Sequence, residues 1–76
     1  MKRVQYFEGD TLRGEGILIP PKRITDLNAW FRAARRVIPD IPPNMAGCET
    51  SLKHIVYHIR KEKGPQEQDQ YVVIHR

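Results

Sequence analysis

"TSLKHIVYHIRKEKGP", residues 50–65, can be read in two ways, and the fold depends on which is right. As a helix it has Ser51 as a cap, Leu52, Ile55, Val56 and Ile59 along one side, and Gly64 and Pro65 as stop signals. As a strand it alternates Ile55, Tyr57 and Ile59 against His54, His58 and Arg60, and its "IVYHI" window is the β-richest in the chain. Ile, Val and Tyr lose side-chain freedom against a preceding helical turn, so they are poor choices for a marginal helix. The polar "KEKGPQEQDQ" then leads into "QYVVIHR", a clear second strand that offers an antiparallel partner. This favours strand over residues 51–63; a helix there would give a ββααβ order instead.

Working back toward the N-terminus, "PDIPPNMAG" reads as a proline-stiffened, extended crossover, with Ile41 and Met45 as anchors onto the core. Before it stands the firmest helical signal. Leu27, Trp30, Phe31, Ala34, Val37 and Ile38 share an arc of about 120° at about 100° per residue. Thr25 is the expected N-cap and Asp26 puts a negative charge in the first turn. Pro39 stops the helix near Ile38, because the residue before a proline avoids helical geometry and proline has no N–H to donate. Earlier still, "RVQYFEGD" alternates Val4 and Tyr6 against Arg3 and Gln5, as a half-buried first strand does. "GILIPP" is the expected second strand, beginning at Gly16, with Gly9, Gly14 and Gly16 free to supply turns or a bulge. The expected architecture is therefore α+β and β-grasp-like: a single ββαββ domain over residues 1–76, one amphipathic helix packed on a mixed sheet.

That layout looks like a β-grasp or ubiquitin-like fold, and its opening resembles the doublecortin domain. The points of similarity are "KRVQYFEGD" as first strand, "GEGILI" as second strand and "ITDLNAWFRAARRVI" as the helix that follows. "LKHIVYHIRKEKG" and "DQYVVIHR" look like that family's third and closing strands, although "PQEQ" cannot supply the leucine-bearing segment the family carries between them. The resemblance implies non-catalytic binding, to tubulin or to signalling proteins.

Composition narrows the function classes. With 76 residues, nearly every large apolar side chain is needed for the core, which leaves little for a deep pocket. The single Cys48 cannot close an internal disulfide, and it reads as a small buried hydrophobe in a reducing compartment. No stretch approaches a membrane span, and "MKRVQYFEGD" breaks off before a signal-peptide core forms, so a cytoplasmic or nuclear protein is expected. The formal charge of +4, thirteen basic against nine acidic residues, favours an acidic partner.

Site chemistry points the same way. Cys48 has His54, His58 and His75 to draw on, but no nucleophile elbow or oxyanion donor accompanies them, so no catalytic residue is assigned. On a strand, His54 and His58 stand about 13 Å apart at ~3.3 Å per residue, too far to share one ion, so no metal or cofactor is expected. Carboxylates form no pair on a common element. Tyr6, Phe7, Tyr57 and Tyr71 lie in predicted strands, as base-stacking residues of sheet-surface RNA binders do, without the glycine-aromatic signature of such sheets.

The arginines remain. On the helical wheel Asn28, Arg32, Arg35 and Arg36 form a stripe beside the apolar arc, opposite a flank made of Ala29 and Ala33, and Lys22 and Arg23 extend it past the N-terminal end. No glutamate stands three or four positions from any of the three arginines. The expected function is a small, basic, non-enzymatic binding protein that docks on an acidic protein surface as an inhibitor, adaptor or accessory subunit. The alternative is a nucleic-acid-binding regulator in which the same arginines contact phosphates and Lys53, Arg60 and Lys61 extend the patch. An open edge at the terminal "YVVIHR" strand would also allow pairing into a homo-oligomer.

Overall fold

The computed structural model describes residues 1–59 and 69–76. Its elements are β1 (Lys2–Glu8), β2 (Thr11–Leu18), α1 (Leu27–Val37), β3 (Met45–Thr50), β4 (His54–Ile59) and β5 (Gln70–His75). The strands form one sheet in the order β2-β1-β5-β4-β3. The α+β class is as expected, but two details differ. Every neighbouring pair runs antiparallel, so the sheet is not mixed, and a fifth strand makes the order ββαβββ. The extra strand, β3, takes up the last three residues of the "PDIPPNMAG" crossover and the three that follow. β5 lies in the middle of the sheet, between β1 and β4, and the edges belong to β2 and β3. Any pairing with another chain through a free edge would therefore use those two strands and not the terminal one.

Of residues 51–63, read as strand, 54–59 are strand, 51–53 form the turn before it and 60–63 lie outside the described residues; the ambiguity of this stretch has a local cause. The Ser51 hydroxyl, which would cap a helix, instead accepts the N–H groups of Lys53 (3.3 Å) and His54 (3.1 Å) in the turn that joins β3 to β4. Serine satisfies N–H groups two or three residues on in either setting, so the signal cannot distinguish the two.

One face of the sheet carries α1. Val4, Tyr6, Leu18, Ile55, Tyr57, Ile59, Val72 and Ile74 point toward it and are buried with Trp30, Phe31, Ala34, Ile38 and Ile41. Phe31 packs on Tyr57 with ring centroids 5.0 Å apart, and the Tyr57 hydroxyl donates to the Leu27 carbonyl at 2.6 Å, tying the sheet to the first helical turn. Burial pushes the Tyr57 pKa well up, as expected of a phenol kept neutral in a core.

The helix ends agree with the sequence reading to within a residue. The N-cap is Asp26 and not Thr25: its carboxylate accepts the Ala29 N–H at 3.1 Å. Asp26 thus serves as the cap itself, which satisfies a first-turn donor more directly than a charge placed inside the turn. Ile38 closes the helix, its N–H donating to the Ala34 carbonyl at 2.9 Å. β2 starts earlier than Gly16 and includes it; Leu18 is buried, while Ile17 faces away from the helix and Ile19 lies beyond the strand, 79 % exposed. Gly9, with φ 57°, makes the β1–β2 turn in a region that non-glycine residues rarely adopt.

Candidate functional site

α1 presents its basic residues to solvent because its apolar arc is occupied by the sheet. Arg32 and Arg36 are exposed, one helical turn apart. With Arg35 and Pro39 they line a shallow depression of about 300 Å³. A second depression, about 400 Å³, opens on the other side of the same ridge. Its helix wall is Ala29 and Ala33, its opposite wall is the connector Ile19, Pro20 and Pro21, and Lys22, Arg32 and Arg36 stand around it. No carboxylate lines either depression. Among the described residues no acidic group pairs with Arg32 or Arg36, and the ion pair found is His58 with Glu49, 3.4 Å apart on the sheet. Asp40 follows Arg36 by four positions, the spacing of a helical ion pair, but Pro39 has already ended the helix, and the two make no ion pair.

The expected site residues are thus only partly brought together. Arg32, Arg36 and Lys22 share one groove. Asn28 is exposed on α1 but lines neither depression, and Arg23 is exposed, its carbonyl accepting the Asp26 N–H at 3.0 Å. Lys53 is exposed in the β3–β4 turn, where its carbonyl accepts the Arg76 N–H at 2.8 Å. Arg60 and Lys61, the remainder of the secondary patch, lie outside the described residues. Arg35 is not a free cation. It is half-buried and its Nε donates to the Ile41 carbonyl at 3.0 Å, which holds the chain after Pro39 against the helix. Arg35→Gln is accordingly expected to lower stability by about 1 kcal/mol, allowing for solvent access to a charge-assisted bond, whereas Arg32→Gln and Arg36→Gln each change it by less than about 0.5 kcal/mol. Urea denaturation of the three variants separates the structural arginine from the other two.

Two groove features escaped the sequence reading. The "GILIPP" expected as the second strand takes in Ile19, Pro20 and Pro21, whereas β2 ends at Leu18 and these three residues line the groove. An aliphatic residue outside the periodic elements, next to a rigid Pro-Pro step and opposite an alanine pair four residues apart, was the available signal.

The remaining chemistry-bearing residues divide between the two faces of the sheet. Cys48 pairs with the buried Tyr57 and packs against the core on the helix side, and burial raises its thiol pKa. His54 and His58 alternate with Ile55, Tyr57 and Ile59 and so face the other way, which keeps them from acting on Cys48. Among the described residues no group of three or more His, Cys, Asp or Glu is placed to hold a metal ion. The four expected stacking residues are split as well. Tyr6 and Tyr57 are in the core, while Phe7 and Tyr71 stack on each other on the open face, with centroids 5.2 Å apart.

On that open face His75 meets His54 edge-on at 5.1 Å, and its Nε2 lies 2.7 Å from Gln5 Oε1. Gln5 in turn donates to Glu15 at 2.7 Å. A donating Nε2–H is the tautomer consistent with that chain. Burial, with help from Arg3 and His54 and against the pull of Glu15, lowers the His75 pKa below its ordinary 6.5. A lowered folded pKa means that the unfolded chain binds the proton more readily. The stability associated with neutral His75 is therefore complete above pH 6.5 and is lost as pH falls through the lower folded value. His75→Gln, which keeps a donor near Gln5, is expected to flatten the stability profile between neutral pH and pH 5; an unchanged slope would mean that His75 does not carry it.

Comparison with known proteins gave no match: no family model, no curated protein and no solved structure matches this chain. No helix among the described residues is long and apolar enough to cross a membrane.

Proposed function

We propose that this chain is a small, non-enzymatic, intracellular binding protein that docks on an acidic protein surface through the ridge of Arg32 and Arg36, with Lys22 at its side. The observation that carries the reading is that these two guanidinium groups stand exposed, one turn apart, with no carboxylate partner among the described residues. A planar fork of N–H donors suits carboxylates held at fixed positions, and an unpaired pair of such forks loses no internal contact on binding. A protein of this kind acts by occupying another protein's surface, as an inhibitor, adaptor or accessory subunit. The strand–strand–helix opening on which the doublecortin and ubiquitin-like resemblance rests corresponds to β1, β2 and α1. What that resemblance implies for the partner is that tubulin is one such acidic surface.

The test is cross-linking capture from cells with the wild-type chain and the Arg32→Gln/Arg36→Gln variant, with and without nuclease. Wild-type capture of a protein partner that survives nuclease and drops at least about tenfold in the variant is the expected result. Capture abolished by nuclease would instead favour phosphate contacts by the same arginines. Equal capture by both forms would remove the helix face from consideration.

A further inference from the structure

The groove beside the arginine ridge has a chemistry of its own, and it narrows the partner. We infer that it binds an extended peptide segment in which two acidic residues at alternate positions flank one aliphatic residue; this rests on the reading of Arg32 and Arg36 as the docking ridge.

The walls differ in kind. On one side stand Arg32 and Arg36, on the other Ile19, Pro20 and Pro21, and Ala29 and Ala33 bring the helix backbone close to the groove. Successive side chains of an extended strand point in opposite directions, so such a peptide laid along the groove shows alternate residues to the two walls. Residues two apart on a strand are about 6.6 Å apart, and residues four apart on a helix are about 6 Å apart along its axis. Carboxylates at positions one and three of the segment therefore match the spacing of Arg32 and Arg36, while position two faces the connector wall. That wall is apolar and already exposed: Ile19 is 79 % accessible, and covering it with an aliphatic side chain removes apolar surface from water on both partners. The two prolines restrict the connector before binding, which limits the ordering cost of association.

The lining, not the charge, disfavours a nucleic acid here. Three cations and no carboxylate surround the groove, but no aromatic ring lines it, so a base would find no stacking platform. The volume of about 400 Å³ lies in the range of small ligand sites and accommodates one aliphatic side chain with its neighbours.

The experiment is selection from a displayed random peptide library against the folded wild-type chain, followed by affinity measurement of the enriched peptides against two variants. Ile19→Ser removes the apolar wall from an exposed position, and Arg32→Gln/Arg36→Gln removes the ridge charge; circular dichroism confirms that both remain folded. The expected outcome is enrichment of an acidic–aliphatic–acidic pattern whose affinity falls about fivefold with Ile19→Ser and at least about tenfold with the double variant. Enrichment of acidic peptides with no recurrent aliphatic residue, indifferent to Ile19→Ser, would overturn the groove assignment and leave the docking ridge standing. Peptides bound equally well by the double variant would overturn both. If a deoxythymidine oligonucleotide displaces the selected peptides at lower concentration than they displace each other, the groove belongs to a phosphate backbone and the peptide assignment fails.

Discussion

Trp30→Ala is expected to reduce the free energy of unfolding by about 3–5 kcal/mol, the range for removing a large buried aromatic side chain. Trp30 is 2 % exposed and sits where α1 meets the sheet, and its indole N–H donates to the Ile24 carbonyl at 2.7 Å. The same side chain thus fills the core and fastens the connector that leads into the helix. A domain of this size has about 4–11 kcal/mol to lose, at roughly 0.05–0.15 kcal/mol per residue, so the alanine variant should stand near the edge of folding. Trp30→Phe separates the two roles. It keeps most of the apolar area but no donor, and because Ile24 is itself exposed, water can reach its carbonyl in place of the indole. The phenylalanine variant should therefore cost about 1–2 kcal/mol, most of it lost packing. Urea denaturation of both variants measures the split; an alanine cost below about 1.5 kcal/mol would mean that the helix is anchored elsewhere.

Why the helix was legible while β3 was not follows from where each gets its stability. α1 carries its evidence in itself: the apolar arc of Leu27, Trp30, Phe31, Ala34, Val37 and Ile38, then Pro39 as the stop. β3 is "MAGCET", with a single β-branched residue, no regular alternation and a partly exposed edge position. Its strand geometry comes from pairing with the strongly β-prone β4, and no local pattern reports a partner's influence. Missing β3 also misplaced the sheet edges. The same limit applied to the site. Exposure of Arg32 and Arg36 follows from their place on the wheel, whereas the tie from Arg35 to the Ile41 carbonyl depends on how the chain turns after Pro39. The groove needed the path of Ile19, Pro20 and Pro21 past the helix, again a tertiary fact.

Gly16→Ala offers the sharpest test of that tertiary arrangement, because its ordinary sign should be reversed. Replacing a strand glycine by alanine usually stabilises by about 0.4–1 kcal/mol, since it restricts the unfolded chain. Here a Cβ at Gly16 would run into Val37 Cγ1, and one at Gly14 would lie 2.8 Å from Ile38 Cγ2. The contacts are with the last residue of α1, Val37, and its C-cap, Ile38, so the two glycines let β2 and the helix end approach more closely than side chains would permit. Val37 and Ile38 are β-branched and have little rotamer freedom with which to yield. Gly16→Ala should therefore destabilise by about 1–3 kcal/mol, as overpacking does. Adding Val37→Ala should recover a large part of that loss, giving a double-mutant coupling of about 1–2 kcal/mol, because removing the γ-methyl groups reopens the space. Since Arg36 precedes Val37 directly, displacing this end of the helix should also shift the arginine ridge against the Ile19–Pro21 wall. Peptide binding should then weaken in Gly16→Ala even at temperatures where the variant is fully folded. A stabilised Gly16→Ala variant, or additive effects in the pair, would show that helix and strand are not held together at this contact.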